Sequence, residues 1–390
     1  MPFPPARPLA RAASLLLAVA GAALAVSPAL AVSPGPAPSL AKGAAYLVAP
    51  GNLIDGDYYE SYPGTADFGL TMDGAFALAA TGKDLHDLQK IISFLAQGGK
   101  DPAGRDVDDW TGIGTKSANG GAIAKEALLA EVTGENPRRF GGHNLIAALD
   151  SSVCQEASPG TGGPCAGTGN YRYATSVFDQ SLGVIAQVRA GQLAGAQAPT
   201  AFLEGLRNSD GSFPSLIPDS HDQDIDSTAI AVMALALIRT PLAQADAARG
   251  VSWIAGQQLP DGGFHGAGGQ SVNSAGLAIQ ALSLRAARYH SKIRSALAFL
   301  AGQQNSNGGF NAYAGGQPGS NVRASTQAVS GATGISFGTL TRDLNPAKAS
   351  SSSRQRQPWT LAGVLVLVLA AMVAASVVLL RRRGQAEVSP

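Results

Sequence analysis

Two stretches of the sequence decide the fold: Gln257-Gln258-Leu259-Pro260-Asp261-Gly262-Gly263-Phe264 and Gln303-Gln304-Asn305-Ser306-Asn307-Gly308-Gly309-Phe310. A third copy ends at Phe213, so that the three aromatic residues lie 51 and 46 residues apart. Each copy follows an amphipathic segment and precedes an apolar one. Self-similarity at this period indicates a repeat architecture, in which each unit is predicted to be a helix, a Gly-rich turn and a second helix.

The repeat region is predicted to run from Leu40 to Gly334 and to hold six units. Weaker copies precede the three clear ones, and six units over this region give about 49 residues per unit. In the first helix of a unit, apolar residues recur on one face, as Ile293, Leu297 and Leu300 do. The second helix is apolar or small nearly all round, which indicates burial on more than one face. We therefore expect an outer ring of half-exposed helices around an inner ring of buried ones, closed by six pairs.

Polar residues stand before the apolar runs that form the second helices. Asp226, Asn273 and Ser325 occupy these places in the last three repeats. Their side chains are of the types that accept hydrogen bonds from the free backbone N–H groups of a first helical turn. The sequence therefore predicts that these three residues are helix N-caps.

The two ends of the chain are predicted to be targeting segments. Residues 1–31 contain Arg7 and Arg11, an apolar run and Ala29-Leu30-Ala31, which is typical of a cleavable secretory signal, with an uncleaved anchor as the alternative. Residues 359–380 carry no charge and precede three arginines, which predicts a transmembrane helix with a cytoplasmic tail of residues 381–390. Residues 32–39 and 335–358 are predicted to be linkers, because the Pro-rich start of the first and the Ser/Arg/Gln-rich stretch Lys348 to Pro358 of the second lack the apolar periodicity of a core.

Composition excludes several classes of protein. The 28 Lys and Arg residues against 27 Asp and Glu residues leave a net charge of +1, without the basic excess of a nucleic-acid-binding protein. Two cysteines cannot form a four-cysteine zinc site. In an exported protein, Cys154 and Cys165 are predicted to form a disulfide across a Gly-rich loop rather than to carry a reactive thiol. We expect no cofactor.

The repeated Gln-Gln-x-x-Asp/Asn-Gly-Gly-Phe phrases resemble the repeat of the squalene cyclase and protein prenyltransferase superfamily. The resemblance covers essentially Leu40 to Gly334 and is strongest in the last three repeats. It implies an all-α fold, an α/α toroid with six inner and six outer helices. The superfamily includes terpene cyclases, prenyltransferase β-subunits, complement thioester domains and the cobalamin carriers transcobalamin and intrinsic factor, so that the resemblance implies the fold but leaves the chemistry open.

Resemblance to the class II terpene cyclases implies an Asp-x-Asp-Asp motif, in which neighbouring carboxylates keep one Asp protonated so that it can protonate an alkene. Asp224-Ile225-Asp226-Ser227 is similar to this motif, with Asp226 as the proton donor and Asp224 beside it, although Ser227 replaces the last Asp. Asp106-Val107-Asp108-Asp109 matches completely but lies in a turn, well before its inner helix, and is predicted to be a solvated acidic turn. The predicted inner helices of the last three repeats contain no aromatic residue that could stabilise a carbocation.

Two further members of the superfamily do not fit the sequence. Protein prenyl transfer needs a zinc ion held by Asp, Cys and His, and neither cysteine lies on a predicted inner helix. A complement-type thioester needs a Cys-Gly-Glu-Gln run, whereas this chain has Cys154-Gln155-Glu156-Ala157. Both activities are excluded.

Resemblance to the cobalamin carriers implies capture of a ligand without catalysis, at a rim formed by the N-termini of the inner helices. The predicted rim residues are short and polar and suit a polar ligand at helix N-termini. They are Asp73, Asn119, Asp179, Asp226, Asn273 and Ser325. The carriers hold their ligand with a second domain that this sequence lacks, so that a corrinoid-like ligand is one hypothesis among several.

Two more hypotheses concern the carboxylates. His221 with Asp222, Asp224 and Asp226 could bind a metal ion, although such a loop is more often merely solvated, and we predict no metal. A carbohydrate-active toroid would need a pair of carboxylates, for which Asp226 and Asp73 are candidates. The sequence thus predicts a membrane-anchored, extracellular toroid that binds a small molecule or an envelope protein, with a terpene-cyclase-type enzyme as the alternative.

Overall fold

The computed structural model describes residues 36–159, 163–218 and 222–344 of the 390-residue chain. The predicted signal peptide, transmembrane helix and cytoplasmic tail lie outside these residues. Among the helices that the structure describes, none combines the length and the apolar character needed to cross a membrane.

The described residues form thirteen helices and five short strands. The helices are α1 (Leu40–Leu47), α2 (Phe68–Thr81), α3 (Leu85–Ala96), α4 (Val107–Thr111), α5 (Gly120–Val132), α6 (Leu145–Ser151), α7 (Val177–Arg189), α8 (Gln197–Gly205), α9 (Ile225–Leu235), α10 (Pro241–Gln257), α11 (Val272–Ser283), α12 (Ala286–Gln303) and α13 (Val322–Gly331). The strands are β1 (Leu53–Ile54), β2 (Tyr58–Tyr62), β3 (Thr65–Ala66), β4 (His265–Gly266) and β5 (Gly269–Gln270). Strands β1, β2 and β3 form one antiparallel sheet and β4 pairs with β5, so that the strands only shape the turns between helices.

Six helices form a closed inner ring. In ring order they are α2, α5, α7, α9, α11 and α13, and α13 contacts α2 to complete the circle. The remaining long helices, α1, α3, α6, α8, α10 and α12, pack against the outside of this ring. The α/α toroid that the sequence pattern predicts is thus confirmed, including its closure.

The Gln-x-x-x-Gly-Gly phrase joins each outer helix to the next one. The side-chain amide of Gln258 donates to the carbonyls of Gly262 and Lys292, and that of Gln304 donates to the carbonyls of Gly308 and Ser39. Because Ser39 caps α1, the second of these interactions ties the last repeat to the first. The side chain of Gln304 therefore makes the hydrogen bond that connects the last outer helix to the first.

The first glycine of the phrase allows this close approach. Gly308 has φ of +93°, and a Cβ atom there would lie 2.1 Å from the carbonyl oxygen of Lys42 in α1. Gly262 has φ of +94°, and its Cβ would lie 2.1 Å from the carbonyl oxygen of Ser295 in α12. A side chain is excluded both by the backbone conformation and by the neighbouring helix.

The predicted N-caps are wrong by two to four residues. The inner helices are capped by Asp67, Asn119, Ser176, Asp224, Ser271 and Asn321, each of which accepts from the backbone N–H three residues later. Asp226 and Asn273 are instead the second residues of α9 and α11, and Ser325 is the fourth residue of α13. The first turn of each inner helix already contains a buried apolar residue. The cap residue therefore lies several positions before the continuous apolar run that marks the helix in the sequence.

Two features complete the fold. Cys154 and Cys165 form the predicted disulfide. Residues 335–344, which the sequence predicts to begin a linker, lie across the C-terminal ends of the inner helices: Phe337 contacts the ring of Phe76, and Arg342 donates to the carbonyl of Ala79. The buried side chains of Phe337 and Leu340 help to hold this segment in place.

Candidate functional site

The inner ring has one open end, which we call the mouth, at the N-termini of its helices. In α9 every residue except Asp226 is buried. The partly exposed or exposed residues in the first two turns of the inner helices define the mouth. They are Gly69, Asp73, Lys125, Phe178, Asp179, Asp226, Asn273, Val322, Arg323 and Gln327.

Below the mouth the ring is filled by its own side chains. Met72 and Leu277, in the first two turns of α2 and α11, and Phe76 and Met233, in the following turns of α2 and α9, are all buried, and none is more than 3 % exposed. A chamber large enough for a polyprene would leave its lining side chains accessible to solvent. The mouth is therefore a shallow depression over a close-packed core.

Most carboxylates of the mouth have a cationic partner. Asp73 forms an ion pair with Lys125 at 2.7 Å, and the cap residue Asp67 forms one with Arg323 at 2.7 Å. Burial raises the pKa of Asp179, and this effect is opposed by a hydrogen bond from Ser176 and by the nearby charge of Lys125. These contacts link α13, α2, α5 and α7 around one side of the mouth.

Asp226 differs from these carboxylates. No cation among residues 36–159, 163–218 and 222–344 forms an ion pair with it, and its Oδ1 atom is buried without a hydrogen-bond partner. Burial and, to a lesser extent, the carboxylate of Asp224 raise the pKa of Asp226 to about 6, against the opposing effect of the neighbouring Ser274 hydroxyl as a hydrogen-bond donor to the carboxylate. The Oγ atom of Ser274, on α11, is also buried, and its contact with the Asp226 carboxylate is longer than an ordinary hydrogen bond. The side of the mouth between α9 and α11 thus holds unused hydrogen-bonding capacity.

The structure brings four of the six predicted rim residues to the mouth: Asp73, Asp179, Asp226 and Asn273. Asn119 caps α5 instead. The hydroxyl of Ser325 is taken up within the repeat, where it accepts from the N–H of Phe310 and donates to the carbonyl of Asn321.

Sequence reasoning missed Lys125 and Arg323 as mouth residues. Lys125 and Glu126 interrupt the small and apolar residues of α5, and this interruption is a signal that could have been used. Arg323 follows the cap residue Asn321 by two positions, which is the place that Asp226 takes after Asp224. Knowledge of the correct cap register would therefore have identified it.

The two acidic motifs have different environments. In the first, Asp224 caps α9 by accepting from the N–H of Ser227 at 2.7 Å, which leaves Asp226 as the acid inside the mouth. In the second, Asp106 and Asp109 form a reciprocal capping box at the start of α4. The carboxylate of Asp108 lies 2.8 Å from the Nε2 atom of His143, within hydrogen-bond distance, so that this motif is a helix start with a side-chain contact rather than only a solvated turn.

The structure does not assemble a metal site from the residues that it describes. Asp222 accepts from the N–H of Ser215, whereas Asp224 caps α9, so that their carboxylates serve different segments. His221 lies outside the described residues. The proposed pair of Asp226 and Asp73 lies on two separate inner helices of the mouth, with Asp73 already bound to Lys125.

Comparison with known proteins agrees with the observed architecture. Residues 172–333 match the family described as the prenyltransferase alpha-alpha toroid domain, which confirms the resemblance drawn from the repeat phrases. No curated protein matches the sequence.

Several solved structures share the fold. The type II terpene cyclase MstE from Scytonema is similar to this chain with a TM-score of 0.53 and 15 % identity, over 75 % of this chain and 96 % of that one. A protein from Actinoplanes gives 0.53 and 15 %, over 76 % and 98 %. A glycosidase gives 0.50 and 15 %, over 77 % and 95 %. These named structures agree better with the enzyme alternative than with ligand capture, but at such identities they show the toroid fold alone.

Proposed function

We propose that this α/α toroid, which is distantly of the prenyltransferase and terpene-cyclase type, binds a small polar ligand at its mouth without transforming it. The observation that carries the proposal is the state of Asp226. It is a carboxylate that has no cationic partner among the described residues, whereas Asp73 in the same mouth is paired with Lys125 and Asp179 has a hydrogen bond from Ser176 and the nearby charge of Lys125. A ligand with amide or ammonium donors would supply the missing hydrogen bonds.

The close-packed core favours binding over catalysis on a polyprene. A class II cyclase must enclose its folded substrate away from water, whereas here Met233, two turns after Asp226 on α9, and Leu277, on the neighbouring α11, are both buried. A ligand at the mouth needs only the first two helical turns, which carry Asn273, Gln327 and Arg323 in addition to Asp226. These amide, carboxylate and guanidinium groups suit a molecule with several donors and acceptors on its periphery.

A corrinoid, whose periphery is rich in amide groups, is the ligand class that we propose. The test is equilibrium binding of cyanocobalamin to the purified full chain, measured by its visible absorbance after ultrafiltration. We expect saturable binding that Asp226→Ala weakens about tenfold or more, since a hydrogen bond to a charged group contributes about 1.5–3 kcal/mol.

The matched control is Asn119→Ser, which keeps the cap of α5 and lies outside the mouth. It should bind cyanocobalamin as the wild type does. No binding by the wild type would refute the corrinoid proposal, and equal binding by Asp226→Ala would refute the role of that residue.

The second candidate is acid catalysis of the terpene-cyclase type, with Asp226 as proton donor and Asp224 beside it. It is favoured by the raised pKa of Asp226, about 6, and by its position at the start of an inner helix. The test is incubation of the full chain with squalene or geranylgeraniol in detergent, followed by analysis for cyclic products. Cyclic product from the wild type that disappears in Asp226→Asn would establish the enzyme and replace ligand capture.

We also propose that the toroid lies outside the cell and is anchored by residues 359–380. The signal-like residues 1–31 and the disulfide between Cys154 and Cys165, which suits an oxidising compartment, support this location. Protease added to intact cells should release a soluble fragment that ends between Lys348 and Pro358. Protection of the toroid from external protease would refute this orientation.

A further inference from the structure

A second cavity lies at the opposite end of the inner helices from the mouth. It has a volume of about 350 Å³ and is bounded by the end of α7, by α8 and by the residues that follow α9. Its lining is largely aliphatic, with Val188, Leu193, Leu237 and Ile238 among the residues that form it. Sites for small molecules usually occupy roughly 300–1,000 Å³ and are mostly apolar, so that this cavity has the size and character of such a site.

One polar group in the lining lacks a partner. Thr200, in α8, is 7 % exposed, and its Oγ1 atom is buried without a hydrogen bond. Helical Thr residues commonly donate to the carbonyl four residues earlier, as Thr81 and Thr133 do in this protein. Thr200 does not use this acceptor. Rotation about its Cα–Cβ bond would present the hydroxyl to the cavity.

The rim of the cavity carries one acidic and one basic side chain, so that it favours neither an anionic nor a cationic ligand. Glu204 and Arg239 both line it, and burial together with the charge of Asp246 raises the pKa of Glu204. An anionic head group would meet the carboxylate of Glu204, and a cationic one would meet Arg239. The surroundings of Thr200 therefore suit a neutral molecule.

From these observations we propose that this cavity binds a neutral amphiphile, with an aliphatic body against Leu193 and Leu237 and a single oxygen, as alcohol or carbonyl, hydrogen-bonded to Thr200. This site is separate from the mouth. It lies beyond the last residue of α9, an 11-residue helix that spans about 16 Å from Ile225. Its occupancy does not depend on the ligand of the mouth.

The test is photolabelling of the full chain in lipid nanodiscs with two probes. One is 1-decanol that carries a diazirine in its alkyl chain, and the other is the same alkane without the hydroxyl. Labelled positions are mapped by mass spectrometry of peptides. We expect the alcohol probe to label residues 188–204 and excess 1-decanol to suppress this labelling.

Two variants distinguish the contribution of the apolar cavity to binding from that of the Thr200 hydroxyl. Leu193 is 63 % exposed, so that Leu193→Asp should fold normally and reduce labelling by both probes at least fivefold. Thr200→Val should lower labelling by the alcohol probe about three- to tenfold, to the level of the alkane probe, because it removes one hydrogen bond. The control is Leu85→Asp, an exposed leucine on α3 away from the cavity, which should label as the wild type does.

Labelling spread evenly over the surface, or unchanged by Leu193→Asp, would overturn the site. Equal labelling of Thr200→Val and the wild type by the alcohol probe would overturn the role of the hydroxyl. Asp226→Ala should leave labelling unchanged, so that failure of this proposal is distinguished from failure of the function proposed for the mouth.

Discussion

Replacement of Asp226 by Asn tests whether this carboxyl is buried without a partner, as the structure has it. The pKa of Asp226 rises from 3.8 to about 6 because burial and Asp224 disfavour its ionised form. A rise of about two units corresponds to about 3 kcal/mol of destabilisation of the folded protein when the carboxyl is ionised. Asn has nearly the same shape and carries no charge. Since its buried amide also loses contact with water, we expect a net gain of about 1–3 kcal/mol at neutral pH.

The gain should depend on pH in a defined direction. The folded protein holds the proton of Asp226 more tightly than the unfolded chain does, so that the contribution of this group to stability falls as the pH rises from 3.8 to about 6. Below this window both states are protonated and the penalty is absent. Above it the penalty is complete. Wild type and Asp226→Asn should therefore be similar in stability near pH 3.5 and differ most above pH 7.

The assay is urea-induced unfolding of both proteins at several pH values, with Asp73→Asn as the control. Asp73 lies in the same mouth but is paired with Lys125, so that its replacement should not stabilise the protein at any pH. A difference between wild type and Asp226→Asn that does not change with pH would refute the argument. Destabilisation by Asp226→Asn at neutral pH would show that the carboxylate has a partner in solution.

Three further predictions concern the fold. Gly308→Ala should cost at least about 2 kcal/mol in urea unfolding, because the positive φ is unfavourable for Ala and the added Cβ meets the carbonyl of α1, whereas Gly302→Ala, in the open surface of α12, should stabilise by about 0.5–1 kcal/mol. Phe337→Ala should cost about 3–5 kcal/mol, because it removes a buried ring from the closed end of the inner ring, and a loss below 1 kcal/mol would contradict that placement. Replacement of Cys154 and Cys165 by Ser should cost about 3 kcal/mol by loop-closure entropy, and both cysteines should resist alkylation in the unreduced native protein.

The repeat period predicted the toroid because the same residue types recur at matching positions in several repeats. The glycines and glutamines of the turns have no alternative role: Gly262 and Gly308 touch the next outer helix, and Gln258 and Gln304 bond across to it. These residues recur because each makes a contact between one repeat and the next. The sequence therefore indicates both the number of helix pairs and how they pack.

The start of each inner helix was predicted less well. The cap Asp224 is followed by the buried Ile225, and only then by Asp226, so that two acidic residues compete for one role. Both are acceptable caps by residue type. The choice depends on which backbone is still extended after the turn, and this depends on the bridge between Phe213 and Asp224, a tertiary contact that the local pattern does not contain.

The segment that covers the C-terminal ends of the inner helices could not be predicted from periodicity. Residues 335–344 contain only four apolar residues, Ile335, Phe337, Leu340 and Leu344, and are too short to establish a helical or an alternating pattern. Besides its buried side chains, hydrogen bonds to the free carbonyls at the ends of the inner helices hold the segment, as from the N–H of Arg342 to the carbonyl of Val132. Carbonyls at a helix end accept from any segment that reaches them, and so they leave no signature in the sequence.

The contact between α13 and α2 fixes how the protein can change in length. An open solenoid can gain or lose one unit at small cost, because each unit touches only its neighbours and the ends are capped. In this ring each inner helix has two inner neighbours, so that one unit more or less alters the circumference and every angle between adjacent helices. Insertions and deletions are therefore expected to be tolerated in the turns and at the mouth rather than as whole repeats. Loss of structure in any one pair withdraws support from both sides, and the six pairs are expected to unfold together rather than from an end.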